Sequence, residues 1–285
     1  VNGGEYNVAI GNYALDALTS ADNNVAVGYN AGTAVTTGDD NTFIGYGAGD
    51  AVTTVSDLTG VGANALGANT SGIRNTAVGF EAGLTNTNGD DCTFIGYRAG
   101  YVANAANLGA TIVGSEAGKA LTSGLYNTFV GYQAGAGNTT GHRNLAIGYG
   151  PYDVGDTEND NIAFGYSALG GSVAGGEFNV IIGNYAGDAI TSGDNNAAYG
   201  HQAGGQITTG DDNTCIGKGA GGALSTGDEN VCLGREAAPA AVDSDTSVTL
   251  GSSNISALRC QVQSISALSD ERDKTDIIDL PYGLD

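Results

Sequence analysis

The stretch that decides the fold is Asn7-Val8-Ala9-Ile10-Gly11-Asn12-Tyr13-Ala14. It returns as NTAVGFEA at 75–82, NTFVGYQA at 127–134 and NVIIGNYA at 179–186. With its glycine as anchor, the pattern recurs 15 times between Gly11 and Gly251. Twelve of the 14 spacings are 17 residues; 96 to 114 and 165 to 183 are 18. A register held this long marks a repeat architecture. Large apolar or aromatic residues stand just before the anchor, and Val, Thr, Ile, Leu or Ala stand three before it. That alternation, ended by glycine, predicts a short strand and then a turn. Ala follows the anchor by three in 13 of 15 repeats, with Pro151 and Asn254 as exceptions. A second apolar column lies seven after the anchor, at Leu18, Val35, Val52, Leu121, Ile190, Ile207 and Leu224. It predicts either a second short strand or an inward-facing edge. Glycines after the Ala column, such as Gly32, Gly83 and Gly135, predict turns with positive φ.

A 17-residue unit cannot bury a core alone, so the units must stack. The expected fold is all-β: a parallel β-solenoid or β-roll of about 15 rungs over residues 1–251. At about 4.8 Å per strand it makes a rod roughly 70 Å long. No 3.6-residue period survives, which excludes helix. The 285 residues hold 49 glycines, no tryptophan and 7% aromatics, so the core should be thin and spread along the chain. Asn stands four before the anchor in 11 of 15 repeats, from Asn7 to Asn230. It reads as a ladder that caps the turn and bonds to neighbouring rungs.

Charge narrows the partners. There are 31 Asp and Glu against 9 Lys and Arg, a net of −22. Phosphate backbones and anionic membranes are repelled, so neither nucleic acid nor membrane is expected as partner. Apolar runs are too short to span a bilayer. No secretory leader opens the chain, and Val1 suggests a start inside a longer protein. Four cysteines are too few for a disulfide framework. Cys215 and Cys232 share a column in adjacent rungs and read as two free thiols packed as small hydrophobes.

The N-x-V-A-I-G pattern resembles the head repeats of YadA-like trimeric adhesins, over roughly residues 1–251. The resemblance implies a left-handed β-roll, three chains side by side. The period here is longer than those adhesins commonly use, which implies a longer outer loop, and is similar to repeats in bacteriophage tail fibres. Ser269-Asp270-Glu271-Arg272-Asp273-Lys274 resembles the opening of the intramolecular chaperone (autopeptidase) domain of phage tailspikes and fibres. The resemblance implies trimerisation through that domain and self-cleavage before Ser269, with Ser269 as nucleophile and Lys274 as its base. Only 269–285 carry the domain's start, so cleavage is expected only where the rest is present. Residues 252–268 read as a β-rich neck in which three chains interlock.

Two columns are candidate sites. Acidic residues stand six before the anchor in nine repeats. Stacked carboxylates at Asp194, Asp211 and Asp228, with Asp212 beside them, are the candidate for Ca²⁺; the alternative is a solvated acidic face that keeps the rod soluble. Aromatics follow the anchor by one at Tyr29, Tyr46, Tyr97, Tyr132, Tyr149 and Tyr166. Strand alternation sets them opposite in sense to the anchor and outward. They read as a receptor-contact face suited to sugar stacking, or as packing between chains. The strongly acidic stretch 149–160, with Pro151 in the Ala column, reads as a surface excursion.

Together these readings give a homotrimeric, extracellular virion tail fibre that attaches to a host-surface glycan or protein and is not an enzyme beyond self-cleavage. A bacterial trimeric adhesin head is the nearest alternative. A monomeric solenoid that binds ice or glycan is another; ice would want a flat Thr-x-Thr column, which the repeats lack.

Overall fold

The computed structural model describes residues 4–105 and 108–257. It contains fifteen three-residue strands, from β1 (Val8–Ile10) to β15 (Val248–Leu250), one per repeat. They form a single parallel sheet in sequence order. Register is strict: Val8 lies beside Val25, Ala9 beside Ala26 and Ile10 beside Val27. It holds across both 18-residue spacings, where Thr93 meets Thr111 and Ile162 meets Val180. The extra residues are therefore taken up in turns. The chain is a parallel β-solenoid of 17-residue turns. One compact unit spans Val1–Ser253 and a second Asn254–Asp285. Most of the expected neck, with Cys260, and both Ser269 and Lys274 lie outside the described residues.

The second apolar column is an inward edge; no described residue there forms a strand. Residues two and four after the anchor take left-handed backbone, as at Asn30 (φ 56°) and Gly32 (φ 56°). Two such bends leave no room for an extended run. Rungs are still tied there: the Leu15 N–H donates to the Ala31 carbonyl and the Ala17 N–H to the Thr33 carbonyl. Leu18, Val35, Val52, Leu121, Ile190, Ile207 and Leu224 are all buried.

In each strand from β2 (Val25–Val27) to β14 (Val231–Leu233) the middle residue is buried, and the two flanking residues, large apolar or threonine apart from Ala197, point out. Thr-Phe-Ile at 42–44 is half-buried, buried and exposed in turn. The core is therefore built from the middle strand position, the Ala column, the position after it and the inward edge. Two of these compensate in volume. Where the middle residue is Phe43, Phe94, Ile112, Phe129 or Ile181, the residue four after the anchor is Gly49, Gly100, Gly118, Gly135 or Gly187. Where the middle residue is Ala9, Gly60, Ala146 or Ala163, it is Leu15, Leu66, Tyr152 or Leu169. In these nine rungs one of the two slots holds the bulk, which keeps packing dense without strain, while in the rungs of Ala26, Ala77 and Ala198 both slots are small.

That rule overturns the expected excursion at 149–160. The rung stays in register, with Leu145–Ile147 beside Ile162–Phe164. Pro151 gives up only the 3.1–3.4 Å turn bond that the Ala N–H of other rungs makes to its anchor carbonyl, and its own carbonyl accepts the Gly135 N–H at 3.0 Å. Tyr152 is the buried bulk of its rung, opposite Ala146, and its hydroxyl donates to the Glu158 carbonyl at 3.1 Å. Burial pushes its phenol well above the ordinary range. Glu158 is buried too, its carboxylate accepting the N–H groups of Asp156, Thr157 and Gly175.

The asparagine column is the ladder the repeat suggests. In all 11 cases Oδ1 accepts a backbone N–H of the next rung at 2.8–3.1 Å. Nδ2 donates to a carbonyl of the next rung's turn at 2.6–2.9 Å. The anchor glycine has a different cause. Gly79 has φ 138°, and a Cβ there would collide with the carbonyl of Gly96 in the next rung.

Asn196→Ala removes both clips and leaves the Asn213 N–H and the Gly210 carbonyl unpaired. The expected loss, read from urea unfolding, is about 2–4 kcal/mol. A loss under about 0.5 kcal/mol would show that the ladder is not what ties the rungs.

Candidate functional site

The outward face of the sheet is where the candidate contacts gather. Residues three before, one before and one after each anchor alternate to that side. The column just before the anchor is apolar or aromatic throughout. Nine of its members, from Ile10 through Ile44, Ile95, Phe164 and Ile216 to Leu250, are 37–60% exposed. Six threonines, Thr42, Thr59, Thr76, Thr93, Thr111 and Thr128, stand three before the anchor in consecutive rungs. No Thr-x-Thr doublet forms, but the single threonine column runs beside the apolar one. A contiguous apolar stripe along a solenoid is unusual for a chain that stays alone in water.

The aromatic column is outward as expected. Tyr29, Tyr46, Tyr97, Tyr132, Tyr149 and Tyr166 are 41–59% exposed. Stacking order comes from the rung spacing. Tyr29 stacks on Tyr46 with centroids 5.4 Å apart, and Phe80 on Tyr97 at 5.6 Å. Tyr149 is stacked between Tyr132 at 4.9 Å and Tyr166 at 5.1 Å. Tyr185 and then His201 extend that run, at steeper angles. Ala63 and Ser115 occupy the same column and interrupt it. The face therefore has separate aromatic tracts, and Arg98 lies over both Tyr97 and Tyr101.

The acidic column has a structural use that sequence reasoning missed. In Asp22, Asp39, Asp90, Asp194, Asp211, Asp228 and Asp245, Oδ1 accepts the N–H of the residue one rung earlier, at 2.6–2.9 Å. Ser56, His142 and Asn159 do the same with neutral acceptors. Of the six non-acidic members of the column, Ser56, His142 and Asn159 carry an acceptor atom, whereas Ile73, Leu108 and Leu125 do not. Asp212 stands one residue later, where every rung turns left-handed (φ 56°). Among the described residues no group of three or more His, Cys, Asp or Glu is placed to hold a metal ion. Cys215 and Cys232 are neighbours across the sheet, buried and free. Their mutual contact and burial push the Cys215 thiol far up.

Compared with known proteins, the chain matches no family model, no curated protein and no solved structure.

Ion pairs also follow the rung spacing. Arg74 reaches Asp91 at 2.6 Å and Arg143 reaches Asp160 at 2.7 Å, each 17 residues on. The guanidinium hydrogen bonds hold both carboxyls below the usual carboxylate range. A carboxyl lowered on folding stabilises above its unfolded pKa, and that contribution fades as pH falls through its folded value. NMR titration should place Asp160 below an ordinary Asp, and Arg143→Gln should return it upward. Tyr149→Ala, which removes two ring stacks, should cost about 1–2 kcal/mol in urea unfolding, while Tyr149→Phe should be neutral.

Proposed function

We propose that the chain is the shaft or head of a homotrimeric bacteriophage tail fibre, extracellular on the virion, that attaches to a host-surface glycan or protein. The observation that carries this reading is the apolar stripe down the outward face of the sheet. Its members recur once per rung, so a partner that buries it must run along the same axis. Further copies of this chain, in register, meet that requirement. The left-handed three-chain roll of the YadA-like repeats is the arrangement this reading adopts. Tyrosine tracts at the stripe's flank then serve receptor contact. In the same reading residues 269–285 open the chaperone domain, with Ser269 and Lys274 as its cleavage pair. A net charge of −22 suits a thin rod that must not aggregate sideways.

A second reading takes the six-rung threonine column as a face for ice on a monomeric solenoid. Its hydroxyls and methyls repeat at the strand spacing of about 4.8 Å. The bulky, stacked aromatics beside it break the flatness that ice requires, which places this reading second.

Light scattering should return a mass of three chains. Ile95→Asp and Ile216→Asp, both on the outward face, should lower it to one chain with the β-sheet circular dichroism unchanged. A wild-type mass of one chain would sink the fibre assignment and leave the ice-facing monomer, which thermal hysteresis then tests.

A further inference from the structure

Away from the sheet face, three rungs leave a pit on the turn side. It measures about 240 Å³ and is lined by Asp188, Gln202, Gly205, Gln206, Gly219 and Gly222. Its floor is glycine where the backbone does not ask for it. Gly205 and Gly222 stand five after their anchors, a column that elsewhere carries Asp16, Leu84, Tyr101 and Lys119. Neither has left-handed backbone. A Cβ on Gly222 would touch only the backbone of Gly219, at 3.0 Å from its oxygen. One on Gly205 would come 3.1 Å from Asp188 Oδ1, the end of a flexible side chain, and 3.3 and 3.4 Å from the backbone oxygens of Gln202 and Tyr185. Gly219 is left-handed, but Glu81 and Gln133 take the same turn in its column. A Cβ there would meet only Glu236 Cγ, at 3.6 Å. Side chains fit this column elsewhere; here their absence opens a hollow.

The walls are polar and of one kind. Asp188 is partly desolvated, which raises its carboxyl above the usual range, and only its own backbone N–H opposes that. The Gln206 amide leans on the Gly205 carbonyl at 3.2 Å, leaving its oxygen for another partner. Gln202 lines the same pit. A carboxylate accepts two hydrogen bonds side by side, and an amide both donates and accepts, as a hydroxyl does. An anion would meet Asp188 and a strongly negative chain. A divalent cation would want more than the single carboxylate present. The volume is below the roughly 300–1,000 Å³ of drug-sized pockets and fits one small ring.

We propose that this pit binds a single neutral pyranose ring. Asp188 accepts from two adjacent hydroxyls, Gln202 and Gln206 bond the next ones, and the glycine floor lets the ring lie against the backbone. The site belongs to one chain. It rests on the adhesive reading only for the source of the sugar, so chain association and sugar binding can fail independently.

The test is saturation-transfer NMR on the full chain with the methyl glycosides of glucose, galactose and mannose and with N-acetylglucosamine. N-acetylneuraminic acid and calcium chloride are the contrasts. At least one neutral sugar should bind with millimolar affinity. Gly222→Gln and Asp188→Ala should each weaken it by about tenfold or more, with the thermal midpoint unchanged. Should Gly222→Gln lower that midpoint, Gln202→Ala takes its place. Binding of none of the neutral sugars, or of the acid or calcium alone, overturns the proposal. So does binding that survives the pit variants but is lost in Tyr149→Ala, which would move the sugar to the aromatic column.

Discussion

An asparagine amide that accepts one backbone N–H of the next rung, and donates to one of its carbonyls, sets the register of this solenoid. Three-residue strands cannot set it alone, since so short a ladder offers too few bonds to resist slipping. The amide supplies the missing fixed points at two places on the following turn. All of these side chains but the half-buried Asn7 are buried, so their bonds are made where water cannot compete and where an unmade bond is costly. Once one column is pinned, all others are pinned with it. The aromatic stacks, the threonine hydroxyl bonds from Thr36 to Thr53 and from Thr191 to Thr208, and the Arg–Asp pairs all reuse the same translation. Where Asn is replaced, by Leu58 or Cys92, the N–H of that residue is still taken by the asparagine one rung earlier.

A pinned backbone leaves little interior. Anchor glycines bring the rungs close, and in nine rungs a single one of the two facing slots holds a bulky side chain. This explains why a chain that is 41% apolar still shows so much apolar surface. The roll has no room for two large columns from its strand, so Val and Ile of the outer positions stay outside. The proposed trimer follows from that surplus. A solenoid whose core is complete with Ala, Gly and one large residue has apolar side chains left over for an interface.

The period, the parallel stacking, the asparagine ladder and the outward aromatics were legible in the sequence, because each is a column that only translation can produce. The exchange between Phe43–Gly49 and Gly60–Leu66 was harder to see. It is a correlation between two columns, and each column taken singly looks irregular. Missing it made Pro151 and Tyr152 look like a break in the roll, when Tyr152 is the large partner of Ala146. The pit at Asp188 was also hidden. It depends on glycines that look like all the others in a chain with 49 of them, and only what a side chain would meet there sets them apart.

The acidic column shows how a repeat can give a row of carboxylates a structural use. Five successive rungs, from Glu177 through Asp194, Asp211 and Asp228 to Asp245, carry a carboxylate at one position. Like charges at the rung spacing of about 4.8 Å repel by only about 1 kcal/mol in water. A charge-assisted bond to a backbone N–H is worth about 1.5–3 kcal/mol. The bond wins, so an acidic ladder can persist without a cation to neutralise it. Repulsion still accumulates along the row. Neutral acceptors at Ser56, His142 and Asn159 keep the hydrogen bond and drop the charge. In the neighbouring column Arg74 above Asp91 and Arg143 above Asp160 offset it directly. Most rungs place an acceptor atom at this height, while Ile73, Leu108 and Leu125 do without one, and aspartate is the shortest side chain that presents two.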